Sequence, residues 1–542
     1  MFACKNCGGN IIYDIKSHKL VCRICNSSFL PESVTKENDS VDYDYFETTI
    51  FTCPQCGAKI MCEDNEASSF CTYCSSATVL TSRISKEKKP DYIIPFEKTK
   101  EECIKEFKKI TRKAILAPSE LKDDKILDKF KAIYVPYWHY EVSQENRFSV
   151  SAAEIFSDAN SSYTTYGKAE GYIYGKFEGI SRDASYNFSD DLCERIAPFF
   201  TSEKKKFYPS YLSGFYADVS DVPGEVYEHE AVTLANDVAR EIVSEEAKKD
   251  GYKNLKIYLS NDEATKQFDT KAVAKKALYP VWFMSFKQKK KVAYMTVNGQ
   301  TGRAASDFPV SIPKFMIATL LLTLLFFFPS LGFMFLFYEN APYIFLDVTL
   351  GFSIAAFIIY YVQMKMMQVR DADSEDAGKF YKKYGVVYIK NKEKDEKVKK
   401  LVRDYIFDFA VGTMYVMMIL GFLWEFLSFL SITSVLDVCF KIALAVGNLG
   451  LATIGFIRGG RLKNSSKFYG ILGGMLSLVF ILAAQLIAPS NKYLCIASGI
   501  LLSLGCFLTI MDLIRYHNEL SMRKPPHLKR RGGDEIADTV NM

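Results

Sequence analysis

The sequence has few of the residues and motifs on which most enzymes and nucleic-acid binders depend. Its 542 residues include 5 histidines and 3 tryptophans, and the formal net charge is only +5. A charge this close to balance excludes a strongly basic nucleic-acid binder, and 49% hydrophobic residues exclude a disordered chain. No GxSxG, HExxH or phosphate-binding glycine motif occurs. His139 and His229 therefore lack a motif partner for general-base chemistry, and we expect no enzymatic activity.

Long apolar stretches are absent before residue 310 and frequent after it. Residues 1–310 carry 43 Lys and Arg against 45 Asp and Glu, whereas the rest of the chain carries 25 against 18. A membrane-spanning helix needs about 20 apolar residues. Six stretches reach this length, at residues 315–338, 342–364, 405–430, 435–457, 468–488 and 494–516. The sequence thus predicts an all-α, six-helix membrane domain over 315–516, with a re-entrant hairpin as the alternative for the first two stretches.

Basic residues are concentrated in the loop 365–404, in the loop after the fourth stretch and in the tail 517–542. The positive-inside rule then places both termini and the loop 365–404 in the cytoplasm of a multi-pass protein of the cell membrane. The chain opens on a cysteine motif instead of a signal peptide, so we expect residues 1–310 to stay cytosolic. Ionisable residues of the six stretches lie near the predicted helix ends, which favours an anchor in the lipid bilayer over a transporter.

Eight of the 14 cysteines form a duplicated motif. Each copy has the spacing C-x2-C-x14-C-x2-C, and every cysteine of the second copy follows its counterpart by 49 residues. The first copy consists of Cys4, Cys7, Cys22 and Cys25, and the second of Cys53, Cys56, Cys71 and Cys74. We predict two β zinc ribbons at residues 1–30 and 51–81, joined by an acidic linker at 31–50.

Four thiolates on two short turns can surround a tetrahedral Zn2+ completely, which leaves no coordination position for water. The motif therefore predicts two structural Zn2+ ions as the cofactors. Disulfide bonds are the alternative, and the expected cytosolic location disfavours them. His18 lies inside the first ribbon and Cys62 inside the second, and neither is needed as a ligand.

The charges of the two ribbons indicate whether the partner is a nucleic acid or a protein. The first ribbon has Lys5, Lys16, Lys19 and Arg23 against Asp14, while the second has Lys59 against three acidic residues. A surface that follows phosphates needs clustered basic side chains. These ribbons have no such cluster, so the sequence favours protein partners over nucleic acid.

Residues 90–310 combine helical and strand-like patterns. Apolar residues recur at helical spacing over 97–117 and 231–249, whereas 132–150 and 163–179 alternate as strands do. The pair 278–286 and 292–297 has the pattern of a hairpin. We therefore expect a separate cytosolic α+β domain, and the fold class as a whole is multidomain.

Several short strings of this sequence resemble one known family. They are DYIIPF at 91–96, IYVPYW at 133–138, SGFYAD at 213–218, LYPVW at 278–282 and NGQTGR at 298–303, all downstream of the two ribbons. In this order they resemble the bacterial membrane proteins with TFIIB-type zinc ribbons, of the YdjG type, some of which carry primosomal or helicase-like labels. The resemblance implies a membrane-tethered ribbon module that recruits envelope-stress proteins of the phage-shock or SPFH-domain kind.

Taken together, the sequence predicts a non-enzymatic membrane anchor or scaffold that displays tandem zinc ribbons for protein recruitment. Two alternatives belong to other classes. One is a transporter or channel with a regulatory cytosolic domain, which a polar cavity at the bilayer midplane would favour. The other is a membrane-tethered nucleic-acid binder, which a basic face assembled from the ribbons and Lys86, Lys88 and Lys89 would favour.

Overall fold

The computed structural model describes residues 2–34, 44–55, 58–61, 71–74, 81–158, 161–185, 188, 190–252, 255–288, 291–321, 341–373, 434–459, 469–488 and 491–521. These residues form a three-stranded sheet, a 12-stranded sheet with helices packed against it, and a group of long apolar helices. We call the 12-stranded sheet and its helices the body.

Fifteen strands build the two sheets. The small sheet consists of β1 (Ile11–Asp14), β2 (Lys19–Cys22) and β3 (Ser28–Phe29). The large sheet consists of β4 (Tyr45–Thr52), β5 (Lys59–Met61), β6 (Thr81–Lys88), β7 (Tyr92–Ile93), β8 (Lys131–Asp158), β9 (Ser161–Asp183), β10 (Lys205–Lys206), β11 (Tyr216–Asp218), β12 (Leu255–Ile257), β13 (Lys271–Gln288), β14 (Lys291–Asn298) and β15 (Ala304–Ser306).

The large sheet is mixed. Its main path runs β10-β7-β13-β8-β11-β5-β4-β6, and β9, β12, β14 and β15 pair off this path. The pairs β11–β8 and β13–β7 are parallel, whereas β8 pairs antiparallel with both β9 and β13. Residues 281–288 of β13 pair with β14, which confirms the predicted hairpin. The parallel pairs are short and the long pairs are antiparallel, so the body is a largely antiparallel sheet with helices packed against it.

The helices of the body are α1 (Lys100–Lys113), α2 (Asp124–Leu127), α3 (Asp190–Ile196), α4 (Glu228–Lys249) and α5 (Asn261–Gln267). Helix α1 begins at a capping box, in which the Thr99 side chain accepts from the Glu102 amide and the Glu102 carboxylate accepts from the Thr99 amide. Its buried face carries Cys103 and Phe107, and the buried alanines of α4 fit that helix closely against the sheet. The two long helices predicted at 97–117 and 231–249 are thus confirmed.

The second cysteine motif does not form a separate small ribbon, which corrects the predicted fold class. Strand β5, which follows Cys53 along the chain, pairs with β11 through Met61 and Ala217, and β4 pairs with both β5 and β6. The strands around this motif therefore belong to the large sheet. Strand β4 also crosses the predicted boundary between the acidic linker and the second ribbon.

The prediction of six membrane-spanning helices is also wrong. Among the described residues, two segments are long and apolar enough to cross a membrane, Gly470–Ile487 and Lys492–Asn518. Within the described residues, the apolar parts of α7 (Ala341–Asp373) and helix Ser434–Gly459 are 10–17 residues long. At 1.5 Å per residue they extend about 15–26 Å, less than the roughly 30 Å of a bilayer core. Helix α6 is described over Ile312–Leu321, and the rest of the first predicted stretch lies outside the described residues, as does the stretch predicted at 405–430.

The helices of the C-terminal part pack closely. A Cβ at Gly505 would lie 2.8 Å from the Cα of Gly474, so the two candidate membrane segments approach at small residues. Such contacts allow helix backbones to come close together in a bilayer. Phe357 of α7 lies beside the same crossing, 3.0 Å from the position of a Cβ on Gly474.

Candidate metal centres

The first cysteine cluster consists of Cys4, Cys7, Cys22 and Cys25, and their four Sγ atoms lie within 4.8 Å of one another. The Sγ atoms are 3.5 Å apart for Cys4 and Cys25, and 3.5 Å apart for Cys7 and Cys22. Metal–sulfur bonds of about 2.3 Å in a tetrahedron place the sulfurs about 3.8 Å apart. A disulfide needs about 2.05 Å. The arrangement therefore fits a four-thiolate metal site.

Two similar turns present these thiolates. The Gly8 amide donates to the Cys4 carbonyl over 2.8 Å, and the Asn26 amide donates to the Cys22 carbonyl over 2.9 Å. Gly8 and Asn26 have φ values of +72° and +58°, the left-handed conformation that glycine and asparagine adopt most easily. Each CxxC pair is thus a knuckle that ends at a residue suited to this backbone.

Hydrogen bonds at the second knuckle favour the thiolate form that a metal requires. The Ser27 side chain lies 3.1 Å from the Cys25 Sγ and, together with the Ser27 amide, lowers the pKa of Cys25 to about 6. The backbone amides of Cys25 and Ile24 lower the pKa of Cys22. Asn6 of the first knuckle donates to Ser27 Oγ over 2.8 Å, so the two knuckles are also linked directly.

The first ribbon is docked on the body and is not a free arm. Ser213 Oγ donates to the Ile11 carbonyl over 2.6 Å, and the Tyr13 amide donates to the Ser213 carbonyl over 3.2 Å. Ser210 Oγ reaches the Pro31 carbonyl at 2.7 Å. The Tyr13 ring also lies 5.5 Å from the Tyr211 ring. The inner side of the ribbon is buried by these contacts, while Cys7 and Cys25 remain exposed.

The second cluster contains Cys53, Cys71 and Cys74, whose sulfur atoms lie within 4.8 Å of one another, with 3.9 Å between Cys53 and Cys74. All three residues are at most 1% exposed. Cys56, the predicted fourth ligand, lies outside the described residues, as does Cys62. The three described cysteines therefore form a buried cluster, unlike the half-exposed first cluster.

Aromatic packing and a hydrogen bond join the second cluster to the body. Tyr73, between Cys71 and Cys74, is fully buried, with ring centroids 5.8 Å from Phe188 and 5.5 Å from Phe283. Ser285 Oγ donates to the Thr72 carbonyl over 2.5 Å. Phe283 and Ser285 both lie on β13, so the knuckle rests on a long strand of the large sheet.

The two histidines considered from the sequence lie apart from both clusters. His139 is buried, with Lys204 Nζ 3.0 Å from its Nε2 and Ser181 Oγ 3.4 Å from its Nδ1. Burial first, and then the Lys204 charge, lower the pKa of His139. This environment favours the neutral form of the imidazole. His229 is half-buried near the start of α4.

His18 is not a ligand either. Its Nδ1 lies 3.2 Å from the Tyr13 hydroxyl, and its Nε2 lies 3.4 Å from a carboxylate oxygen of Glu97 in the body. The sequence did not identify Ser210, Ser213 or Gly214 as the docking site of the ribbon. Ser213 and Gly214 belong to the string SGFYAD at 213–218, which carried part of the resemblance, whereas Ser210 lies outside it.

No protein-family model and no solved structure matches this chain. The sequence is 25% identical over 318 residues to a protein of Bacillus subtilis (strain 168) with the name "Uncharacterized protein YdjG". The match covers 58% of this chain and 91% of that protein. This distant relative and the cysteine clusters agree with zinc-ribbon-like motifs.

Proposed function

We propose that this protein is a non-enzymatic, membrane-associated platform whose first cysteine cluster presents a binding surface to other proteins, while the second stabilises the body. The observation that carries the proposal is the difference in burial between the duplicated clusters. A site at most 1% exposed has no surface to offer, whereas both knuckles of the first cluster face solvent.

Zinc is the proposed metal at both clusters. Four thiolates at tetrahedral spacing suit a single Zn2+ or iron ion, and Sγ atoms that all lie within 4.8 Å of one another are too close together to surround a multinuclear iron–sulfur cluster. With four thiolates bound, Zn2+ has no position for a catalytic water, so the sites are structural. Metal analysis of the purified full chain should give two zinc ions per chain, and iron in their place would contradict this assignment.

The exposed surface of the first cluster has the character of a protein-binding site. Ile24, between Cys22 and Cys25, is 74% exposed, and Leu30 is 49% exposed. Lys5 and Arg23 are the two basic residues on the knuckles themselves. An apolar centre with few charges suits a protein partner better than a phosphate backbone. The family resemblance favours cytosolic or membrane proteins of the envelope-stress kind as these partners.

The apolar segments Gly470–Ile487 and Lys492–Asn518 support membrane association of the platform. We place the ribbon and the body on the cytosolic side, because a four-thiolate site needs a reducing compartment to remain free of disulfides. Recruitment would then bring a cytosolic partner to the membrane surface.

The experiment is affinity purification of the full chain in mild detergent with nuclease treatment, followed by mass spectrometry. Ile24→Asp introduces a charge at the centre of the proposed surface without touching a ligand. Ile84→Asp is the matched control, because Ile84 is 79% exposed on β6 of the large sheet. We expect a set of proteins bound to the wild type and to Ile84→Asp but not to Ile24→Asp, with zinc content unchanged in all three.

An unchanged set of partners in Ile24→Asp would overturn the recruiting role of this surface. Partners that disappear from the wild type on nuclease treatment would instead identify the chain as a membrane-tethered nucleic-acid binder.

A further inference from the structure

Strand β9 is a long edge strand of the large sheet. It extends over 23 residues, contains no proline and pairs with β8 along one side. Among the described residues, no strand pairs with its other side. Exposed edges that are long and regular pair readily with further strands, and proteins usually block them with prolines, bulges or charges. The charged residues of β9 are therefore the feature that decides whether it can pair.

These charges follow a repeat. The segment GKAEG at 167–171 recurs as GKFEG at 175–179, with Tyr172, Ile173 and Tyr174 in between. In both copies of the repeat the lysine precedes the glutamate by two residues. Because strand neighbours two apart share a face, the two lysines, the two glutamates and the two tyrosines lie on the same face of β9.

This order makes β9 complementary to itself. If two copies pair antiparallel about a two-fold axis at Ile173, residues whose numbers add to 346 face each other. Glu170 then faces Lys176 of the second copy, and Lys168 faces Glu178, whose carboxylate also accepts from Lys204 of its own chain over 2.8 Å. All the charges of the repeat are paired with opposite charges, and such cross-strand pairs stabilise a sheet.

Neighbouring registers lose this match. An axis at Tyr172 places Lys168 opposite Lys176, and an axis at Tyr174 places Glu170 opposite Glu178. Like charges directly opposite each other are destabilising. The charges would therefore select one register over its neighbours, whereas lysines that serve only to block an edge would need no matching glutamates.

The remaining residues fit the same register. Tyr172 faces Tyr174 of the second copy, and these rings are 59% and 67% exposed in the single chain. Gly171 faces Gly175, so no side chain obstructs the approach of the strands between the tyrosine and the charged pairs. Residues 161–177 of β9 are also in continuous register with β8, and the shift in that pairing comes only beyond Phe177.

We infer that β9 is a homodimerisation edge, along which two copies of this chain join their large sheets about a two-fold axis at Ile173. A closed two-fold pair removes both exposed edges at once, as expected of symmetric homodimers. This inference does not rest on the proposed recruiting role of the first ribbon.

The test uses Glu170 and Lys176, which lie in the regular part of β9. Glu170→Lys places a lysine opposite Lys176 of the second copy, and Lys176→Glu places a glutamate opposite Glu170. Because of the two-fold symmetry, each substitution creates two pairs of like charges in the dimer. The double variant Glu170→Lys/Lys176→Glu restores opposite charges. The control is Lys206→Glu, a charge reversal at an exposed residue of β10. The molar mass of the full chain in mild detergent is measured by light scattering over a range of concentrations.

We expect a dimer for the wild type and the control, a dissociation constant about tenfold higher for each single variant, and recovery in the double variant. A monomeric wild type, or single variants that dimerise as the wild type does, would overturn the inference. As a second measurement, a photo-reactive phenylalanine analogue replaces Tyr174. A cross-link to the 168–178 segment of a second, isotope-labelled copy supports the proposed register, and cross-links only elsewhere contradict it.

Discussion

Ile12 of the first ribbon packs directly against the backbone of Gly214, which has a φ of +88°. A Cβ at this position would overlap the Ile12 side chain. The contact lies beside the hydrogen bonds of Ser213, so a few residues hold the ribbon on the body. The ribbon and its metal site are therefore oriented by a part of the chain about 200 residues away in sequence.

Gly214→Ala should release the first ribbon from the body. The left-handed backbone alone costs a non-glycine residue about 1–2 kcal/mol, and the overlap with Ile12 adds to this cost. We expect faster amide hydrogen exchange and easier proteolysis in β1 and β2. Gly251→Ala is the control, because Gly251 has a φ of +102° but nothing within 4 Å of an added Cβ. Unchanged exchange in Gly214→Ala would contradict this docking contact.

Loss of the second metal site should damage the body more than loss of the first. Cys53→Ser removes a ligand that is fully buried among strands of the large sheet, whereas Cys4→Ser affects a ribbon that docks from outside. We expect each variant to lose one metal ion per chain. The melting temperature should fall by roughly 10 °C for Cys53→Ser and by less for Cys4→Ser, because metal binding is part of the folding free energy.

The control for these cysteine variants is Cys439→Ser, at an exposed cysteine of helix Ser434–Gly459, which should keep both ions. Equal melting temperatures for Cys4→Ser and Cys53→Ser would show that the difference in burial between the two clusters does not affect the stability of the folded chain.

His139 should make the body less stable in mild acid. Burial and then the Lys204 charge lower its pKa below 6.5, and the neighbouring carboxylates of Glu141 and Glu178 only partly oppose this. Below about pH 6.5 the His139 side chain of the unfolded chain binds a proton that the folded chain does not bind. Protonation therefore favours the unfolded chain, and the free energy of unfolding decreases as the pH falls below this value.

We therefore expect His139→Gln to show a smaller fall in melting temperature between about pH 7 and about pH 5 than the wild type. The comparison uses the change in melting temperature with pH and not the melting temperature itself, because the substitution also changes packing. His229→Gln, at a half-buried histidine of α4, controls for the loss of an imidazole. If the melting temperature of His139→Gln falls with pH as steeply as that of the wild type, His139 does not cause the loss of stability in acid.

Charges on the candidate membrane segments should weaken membrane insertion. Leu476 and Ile500 are 70% and 57% exposed and lie near the middle of their segments. A lysine near a helix centre costs about 2.5–3.5 kcal/mol of insertion free energy. In Leu476→Lys/Ile500→Lys we expect more of the protein to be extracted from membranes by alkaline carbonate. Tyr252→Lys, on the body, should behave as the wild type, and equal extraction of all three would argue against membrane insertion.

The sequence by itself determined the metal clusters, because their geometry is local. A CxxC knuckle places two thiolates on one turn, and residues such as Gly8 and Asn26 allow that turn wherever it occurs. The 49-residue offset therefore predicted the cysteines that the structure brings together in both clusters. The main helices of the body and the β13–β14 hairpin followed from local periodicity in the same way.

Only the tertiary structure decided how each cluster is buried. The two motifs have the same spacing, yet one docks through Ser213 and Gly214 while the other is enclosed by Tyr73, Phe188 and Phe283. Burial depends on strands and side chains far away in sequence, such as the pairing of Met61 with Ala217. Among the described residues, two segments are long and apolar enough to cross a membrane, where composition predicted six. Local spacing specifies a turn or a ligand set, whereas burial and the exposed edge of β9 depend on how distant segments pack.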